Sequence, residues 1–460
     1  MENIEFISIN NYRAIKKNEI IPKSINVFVG RNNCGKSSIL EAISLNLSAP
    51  NDFQDQLGNN IWYDLIRAKR YDPSYLIHNN SKKINIECRT KDYKNRLDIE
   101  IVEDGYPNDE RGKIIQSYFQ KQIEDFFQKS STISEMKESY YAIPKKISSP
   151  ANRQKTLFEI SSENLYEDTE NQQFNEIYDT LKDSFNNFLH QLKDSLIFEI
   201  LKQKKIIFSY YVNGNLKYLA ISFYKLPIFG PISDRYRTTL PDTLSRRFYA
   251  EMLTVRIPYN SIRIIPIIGS SESIQNKIVV NLDHTNSLTE LSQLHDRIVS
   301  NNKIEQTIQN LKDKIDYFQD IRKTDQGLQV FLTNQTMPLP ISSMGDGFNA
   351  LLKLTFMNTL LEKGIIVLEE PESSLHPGFL SIFCEAILNN SQNCQFFIST
   401  HSIDFIQTLL KVGDWTNKLD AIQIIRMHSR SDIQESDIET ITGETAKEEM
   451  EEIGRDLRGI

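Results

Sequence analysis

Apolar residues fall along this chain in two kinds of pattern. Continuous runs suit strands buried on both faces. Ile25-Asn26-Val27-Phe28-Val29, Gly364-Ile365-Ile366-Val367-Leu368 and Cys394-Gln395-Phe396-Phe397-Ile398 are runs of this kind, and Ala421–Met427 reads as another strand. Steps of four and three suit helices instead. Ser38-Ile39-Leu40-Glu41-Ala42-Ile43 opens one helix, and another is expected over 112–128. Phe174, Tyr178, Leu181, Phe185, Phe188 and Leu192 mark a heptad stripe over roughly 170–204. Ile304, Ile308, Leu311, Ile315 and Phe318 repeat it further on, and a helical tail is expected through Glu448–Leu457. Lys205–Tyr211 and Leu216–Tyr224 flank Asn213-Gly214, a pair suited to the positive φ of a tight hairpin. The stripes have two readings, as core packed within the protein or as a short coiled-coil arm serving an oligomer or partner.

Polar clusters sit at the ends of the buried runs. Gly30-Arg31-Asn32-Asn33-Cys34-Gly35-Lys36-Ser37-Ser38 follows the first. It fits G-x-x-x-x-G-K-[ST], in which glycines let backbone amides wrap a triphosphate. Gly30, Asn32, Asn33, Gly35, Lys36, Ser37 and Ser38 are therefore expected to bind ATP or GTP. Lys36 would reach the β- and γ-phosphates and Ser37 would offer its hydroxyl to Mg²⁺. The second run ends in Glu369-Glu370. Strand carboxyl ends are where open α/β sheets place ligands. Glu369 would help hold Mg²⁺, and Glu370 would orient or deprotonate the attacking water. The alternative is a solvated acidic turn. The third run ends in Ser399-Thr400-His401-Ser402, where His401 either bonds the γ-phosphate or stands beside an ordinary helix cap. Ser342-Ser343-Met344-Gly345-Asp346-Gly347 precedes a helix expected from about Asn349. Ser343, Gly345 and Asp346 would form a second anion site, useful if it serves the nucleotide of a neighbouring copy.

The chain has 460 residues, 39% of them hydrophobic and 25% charged, with a net charge of −8. This describes a globular chain with a sizeable core and argues against nucleic-acid binding through overall charge. Basic residues such as Lys145, Lys146, Arg235, Arg237, Arg246 and Arg247, with Tyr236 and Phe248 among them, read as a mixed-charge solvated face or as a local nucleic-acid surface. There is no apolar run long enough to span a membrane, and Met1-Glu2-Asn3-Ile4-Glu5 does not read as a signal peptide, so a cytoplasmic location is expected. Four scattered cysteines without a C-x-x-C pair give no support for zinc. Cys34 is either a small filler of the loop or a thiol whose pKa is lowered at a helix start.

Taken in order, these motifs resemble the ABC-type ATPase superfamily, in particular its SMC/RecF/OLD-like branch. The resemblance rests on the P-loop Gly30–Ser37, a signature at Ser343–Gly347, a Walker B segment Ile365–Glu370, the D-loop-like Ser373-Ser374-Leu375-His376-Pro377 and a switch histidine His401. The wording Glu-Glu-Pro-Glu…Leu-His-Pro and Ser-Thr-His-Ser, with Ile9-Asn10-Asn11-Tyr12-Arg13 near the start, is similar to the OLD-like members. It departs from the superfamily pattern in having Glu369 for the usual aspartate and a shortened signature, and no Q-loop glutamine is placed. The resemblance implies an α/β fold, an ABC-type P-loop ATPase head carrying a mixed helical and β-hairpin insertion. Its expected division is 1–104 and 241–460 for the head and 105–240 for the insertion.

The resemblance also implies ATP and Mg²⁺ as cofactors and a head-to-head dimer or higher oligomer of the chain with itself. ATPases of the PARIS, Septu and retron-associated anti-phage systems are the members it is most similar to. An ATP-hydrolysing sensor or scaffold that controls a separate effector, such as a TOPRIM-type nuclease, is therefore expected. The residues after His401 suit strands and a helical tail and not a nuclease domain. The alternative is a RecF/SMC-like DNA-repair ATPase that binds DNA through the insertion. A transport ATPase is disfavoured by the motif wording.

Overall fold

The computed structural model describes residues 3–69, 73–78, 81–129, 133–134, 179, 182–183, 186–187, 189–191, 193–194, 204–223, 264–269, 278–281, 288–361, 363–430 and 435–452. The strands are β1 (Phe6–Tyr12), β2 (Ile15–Ile20), β3 (Ile25–Gly30), β4 (Lys83–Arg89), β5 (Lys94–Val102), β6 (Lys205–Val212), β7 (Asn215–Phe223), β8 (Ile265–Ile268), β9 (Ile278–Asn281), β10 (Phe318–Thr324), β11 (Gly327–Leu332), β12 (Leu339–Pro340), β13 (Gly364–Glu369), β14 (Cys394–Ser399), β15 (Ile422–Arg430) and β16 (Glu435–Thr442). The helices are α1 (Lys36–Ser48), α2 (Ile61–Lys69), α3 (Glu110–Lys129), α4 (Leu288–Ser300), α5 (Ile304–Lys312), α6 (Asp346–Leu360), α7 (Pro377–Asn390), α8 (Ile403–Trp415) and α9 (Gly443–Glu452).

Two compact units make up the chain. One holds Met1–Glu100, Ile207–Ala220 and Ile268–Ile460, and the other holds Ile101–Ile206 and Ile221–Ile267. The first unit is built on a sheet with strand order β16-β15-β3-β14-β13-β9. The strands β15, β3, β14, β13 and β9 run parallel, and β16 closes the edge antiparallel to β15. Every residue of β3, β13 and β14 is buried, as their continuous apolar runs require. In this unit β2, β1 and β4 also pair antiparallel, in that order, as part of a second sheet. Asn213 and Gly214, with φ of 49° and 83°, turn β6 into β7 as the sequence predicts. Phe208 of this hairpin packs on Phe53 and Trp62, with ring centroids 4.9 and 4.8 Å apart.

In the other unit, α3 buries Ile115, Phe119, Ile123, Phe126 and Phe127. Their spacing of about four makes one apolar face, and Phe119 meets Phe223 at 6.0 Å. The stripe Phe174–Leu192 and the basic residues Lys145, Lys146, Arg235, Arg237, Arg246 and Arg247 lie outside the described residues.

The stripe Ile304–Phe318 differs from its sequence expectation. The helix α5 stops at Lys312, and Phe318 opens β10. Leu311, Ile315 and Phe318 nevertheless share one core with Leu291, Phe348 and Phe356, and Ile304 and Ile308 pack against it. Helix and turn present the same apolar spacing to the sheet's covering layer, so this segment is core and not an arm.

This layer also buries His295, which is 4% exposed, with its ring 6.3 Å from that of Phe356. Burial pulls its pKa below the usual imidazole value. As pH falls from about 6.5, the unfolded chain takes up a proton that the folded chain refuses, so stability drops until the lower folded pKa is reached. Melting temperature should fall with pH in that window, and His295→Phe should flatten the slope. An equal slope in the variant would remove His295 as its source.

Candidate functional site

The carboxyl ends of β3, β14 and β13 converge because the strands are parallel and in near register. Phe28 pairs Ser399, and Ser399 pairs Glu369. The strand carrying the polar cluster Ser399–Ser402 therefore lies between the P-loop strand and the carboxylate strand. This places Gly30, Glu369, Glu370 and His401 along one edge.

The P-loop turns on three positive φ values, 147° at Gly30, 63° at Asn33 and 105° at Gly35. A side chain at Gly30 would meet the Met427 carbonyl oxygen at 2.5 Å and Cys34 Sγ at 2.8 Å. The helix α1 begins at Lys36 with Gly35 as its cap and no side-chain cap bond, which leaves its first amides facing the loop. That is the donor arrangement a polyphosphate needs. Arg31, Asn32 and Asn33 are exposed, Ser37 is half-buried, and Gly35, Lys36 and Ser38 are buried.

Lys36 Nζ lies 2.9 Å from the Gly30 carbonyl and 3.0 Å from that of Arg31. Burial lowers its pKa, while Cys34, Glu370 and Glu369 favour its charge. The two carboxylates thus act on the same ammonium. Cys34 follows the filler reading. It is 1% exposed, and burial raises its thiol pKa against the opposing pull of Lys36. The helix start and the lysine are outweighed by desolvation, so Cys34 is a protonated filler beneath Gly30.

Glu369, 7% exposed, ends β13. Glu370 follows with φ 42°, a left-handed turn that a non-glycine residue adopts at a cost. Its amide donates to the Ser399 carbonyl at 3.0 Å and faces Ser399 Oγ at 3.3 Å. These bonds fasten the turn to β14. His401 Nε2 then sits 3.0 Å from Glu370 Oε1. The helix-cap reading of the Ser399–Ser402 cluster holds, and His401 has a carboxylate partner besides. Ser402 caps α8 by accepting from the Phe405 amide at 3.1 Å, and His401 meets the carboxylate.

Glu372 has no role in the sequence reading, although it stands in Glu-Glu-Pro-Glu. Its Oε1 accepts from the Thr400 hydroxyl and from the His401 amide at 3.2 Å. Its Oε2 is buried without a hydrogen-bond partner. Burial raises its pKa, the bonds from Thr400 and the His401 amide oppose the rise, and the Glu370 charge adds to it. No local periodicity marks such a residue; only the packing of two loops does.

Near the chain start, the β1–β2 turn is tied to the P-loop helix through Glu41. Its Oε2 accepts from Tyr12 Oη at 3.1 Å and from Arg13 Nη1 at 2.5 Å. Arg13 itself has φ 51°, and its carbonyl lies 2.7 Å from His78 Nδ1.

The signature segment leads into α6, which starts at Asp346, three residues earlier than its sequence expectation, with Gly345 as its cap. Ser343, Gly345 and Asp346 are exposed. A Cβ built at Gly345 would meet nothing within 4 Å. Among the described residues no group of three or more His, Cys, Asp or Glu could hold a metal ion. A P-loop Mg²⁺ takes a Ser or Thr hydroxyl and oxygens of the nucleotide's phosphates, and so needs no such group. No helix among the described residues is long and apolar enough to cross a membrane.

The chain is similar to several known proteins. An uncharacterized protein of Methanocaldococcus jannaschii, MJECL11, is 27% identical over 118 residues, covering 25% of this chain and all of that protein. Similar solved structures include an SMC head bound to the C-winged helix domain of ScpA, at TM-score 0.41 and 13% identity over 96% of this chain and 98% of that one. The SMC head domain from Thermotoga maritima follows at TM-score 0.40 and 11% identity, covering 95% of this chain and 99% of that one. The family described as AAA ATPase domain matches residues 3–406. The chain, with its P-loop on β3 and its carboxylates one strand beyond β14, belongs to the AAA ATPase domain family.

Proposed function

We propose that this ATPase hydrolyses Mg²⁺-bound ATP at a site completed by a second copy of the chain, and that assembly controls a separate effector protein. The observation that carries this reading is the exposure of Ser343, Gly345 and Asp346 at the start of a long helix, with open space over Gly345. A second copy can approach there.

The loop amides and Lys36 would cradle the phosphates. Ser37 and Glu369 would hold the metal, whose part is to neutralise charge on the β- and γ-oxygens. Glu370 would take the proton of the attacking water, and His401, at 3.0 Å, would orient that carboxylate and reach the γ-phosphate. Bacterial anti-phage defence with a nuclease effector is the setting we favour, on the strength of the motif wording.

A mixing experiment tests the composite site. Lys36→Ala and Ser343→Arg should each be inactive alone. Mixed in equal amounts they should regain about a quarter of the parental ATPase rate, because half the two-fold dimers hold one intact site. No recovery would refute the shared site. For the partner, Glu370→Gln can be used as a trap in a pull-down from the native host. Recovery of a nuclease supports effector control, and recovery of DNA alone would favour a repair ATPase.

A further inference from the structure

We infer that Glu372 is the positioning residue that links the Ser373–His376 segment to the His401–Glu370 pair. A carboxylate with one oxygen buried and unpartnered is costly, and a hydrophobic side chain in its place would avoid that cost. Glu372 instead spends its bonded oxygen on the switch loop, accepting from both the Thr400 hydroxyl and the His401 amide. Thr400 Oγ1 in turn accepts from the Ser402 amide at 3.0 Å, so one contact holds three successive residues of the loop.

On its other side, Glu372 lies inside the short 3₁₀ turn Pro371–Ser374, between Glu370 and the exposed Ser373 and His376. The turn is closed by Ser373 N to Glu370 O at 3.1 Å and Leu375 N to Glu372 O at 2.9 Å. The backbone of this turn is thereby a rigid lever. Its outer end is exposed, and its inner end carries Glu370. Displacing the exposed end moves the Glu372 carboxylate, and with it the loop that aims His401 at Glu370. In the two-copy site proposed above, on which this inference rests, the outer end is what an arriving neighbour would press.

Glu372 touches neither nucleotide nor water in this account. Its loss should slow turnover without weakening nucleotide binding. Glu372→Ala and Thr400→Val should each lower kcat by about 10- to 100-fold, the scale of a small misplacement of catalytic groups, with KM for ATP within about twofold. Because the two variants share the Thr400–Glu372 contact, while each also loses one bond of its own, to the His401 or the Ser402 amide, the double variant should be slowed by much less than the product of the single effects. Multiplying effects, or a KM change as large as the kcat change, would overturn the link. Melting temperature near the parental value excludes general unfolding, and Glu372→Gln, which keeps an acceptor oxygen, should restore part of the rate.

A second measurement needs no hydrolysis. Amide exchange at His401 and Ser402 in the nucleotide-free protein should quicken in Glu372→Ala while α8 stays protected. Unchanged exchange would overturn the link even if the protein is an active ATPase. Faster exchange in a protein that hydrolyses nothing would leave the link standing and remove the catalytic reading of Glu370.

Discussion

Glu370→Gln is expected to bind ATP with undiminished affinity and to hydrolyse it at least about a hundredfold more slowly, the usual scale for loss of a general base. The substitution keeps the shape of the side chain. Glutamine retains an oxygen near His401, and the turn is held by backbone bonds to Ser399 that do not involve the carboxylate. What disappears is proton acceptance and one negative charge near Lys36. Binding and turnover should therefore separate, and ATP should hold the two-copy assembly together. Single-turnover hydrolysis and mass measurement with and without ATP would show this. A variant that turns over at the parental rate would move the base elsewhere.

Gly30→Ala should be strongly damaging to the folded protein. The position has φ 147°, and the added carbon would lie 2.5 Å from a backbone oxygen of Met427. A flexible side chain could yield, but this oxygen belongs to β15, whose strand is paired with β3 at Met427–Gly30 itself. Backbone strain of roughly 1–3 kcal/mol and overpacking of similar size add to about 2–6 kcal/mol, enough to unfold a marginal protein. Denaturant titration should show the loss, and nucleotide binding should vanish with it. A variant within about 1 kcal/mol of the parent would mean that β15 retreats freely.

Some of this architecture is legible in the chain because the information is local. The apolar runs of β3, β13 and β14 announce buried strands, and the polar residues at their ends announce a site. Asn213-Gly214 announces a turn by its own backbone preference. What is not local is not legible. Nothing in Cys394–Ser399 says that this strand lies between the other two, although that order alone brings His401 to Glu370. The spacing Ile304–Phe318 is helical to its end, yet the chain leaves the helix at Lys312, because the core accepts apolar side chains from a turn as readily as from a helix. Cys34 illustrates a contest between two forces. Helix start and lysine favour the thiolate, burial opposes it, and only the packed loop shows burial winning. Glu372 is silent in sequence because its partners stand 28 and 29 residues away.

The pairing of β3 with β14 and β15 also governs how the protein can be made. Ile25 aligns with Phe396 on one side and Ile422 on the other. A ribosome adding roughly 5–20 residues per second reaches those partners about 20–80 s after Ile25 emerges. Throughout that interval the apolar strand that bears the P-loop has neither neighbour, and its unpaired edges are open to other chains. Nascent-chain protection during synthesis is thus a built-in requirement of this topology. Truncated products ending before residue 394 should depend on chaperones in a way that the finished chain does not.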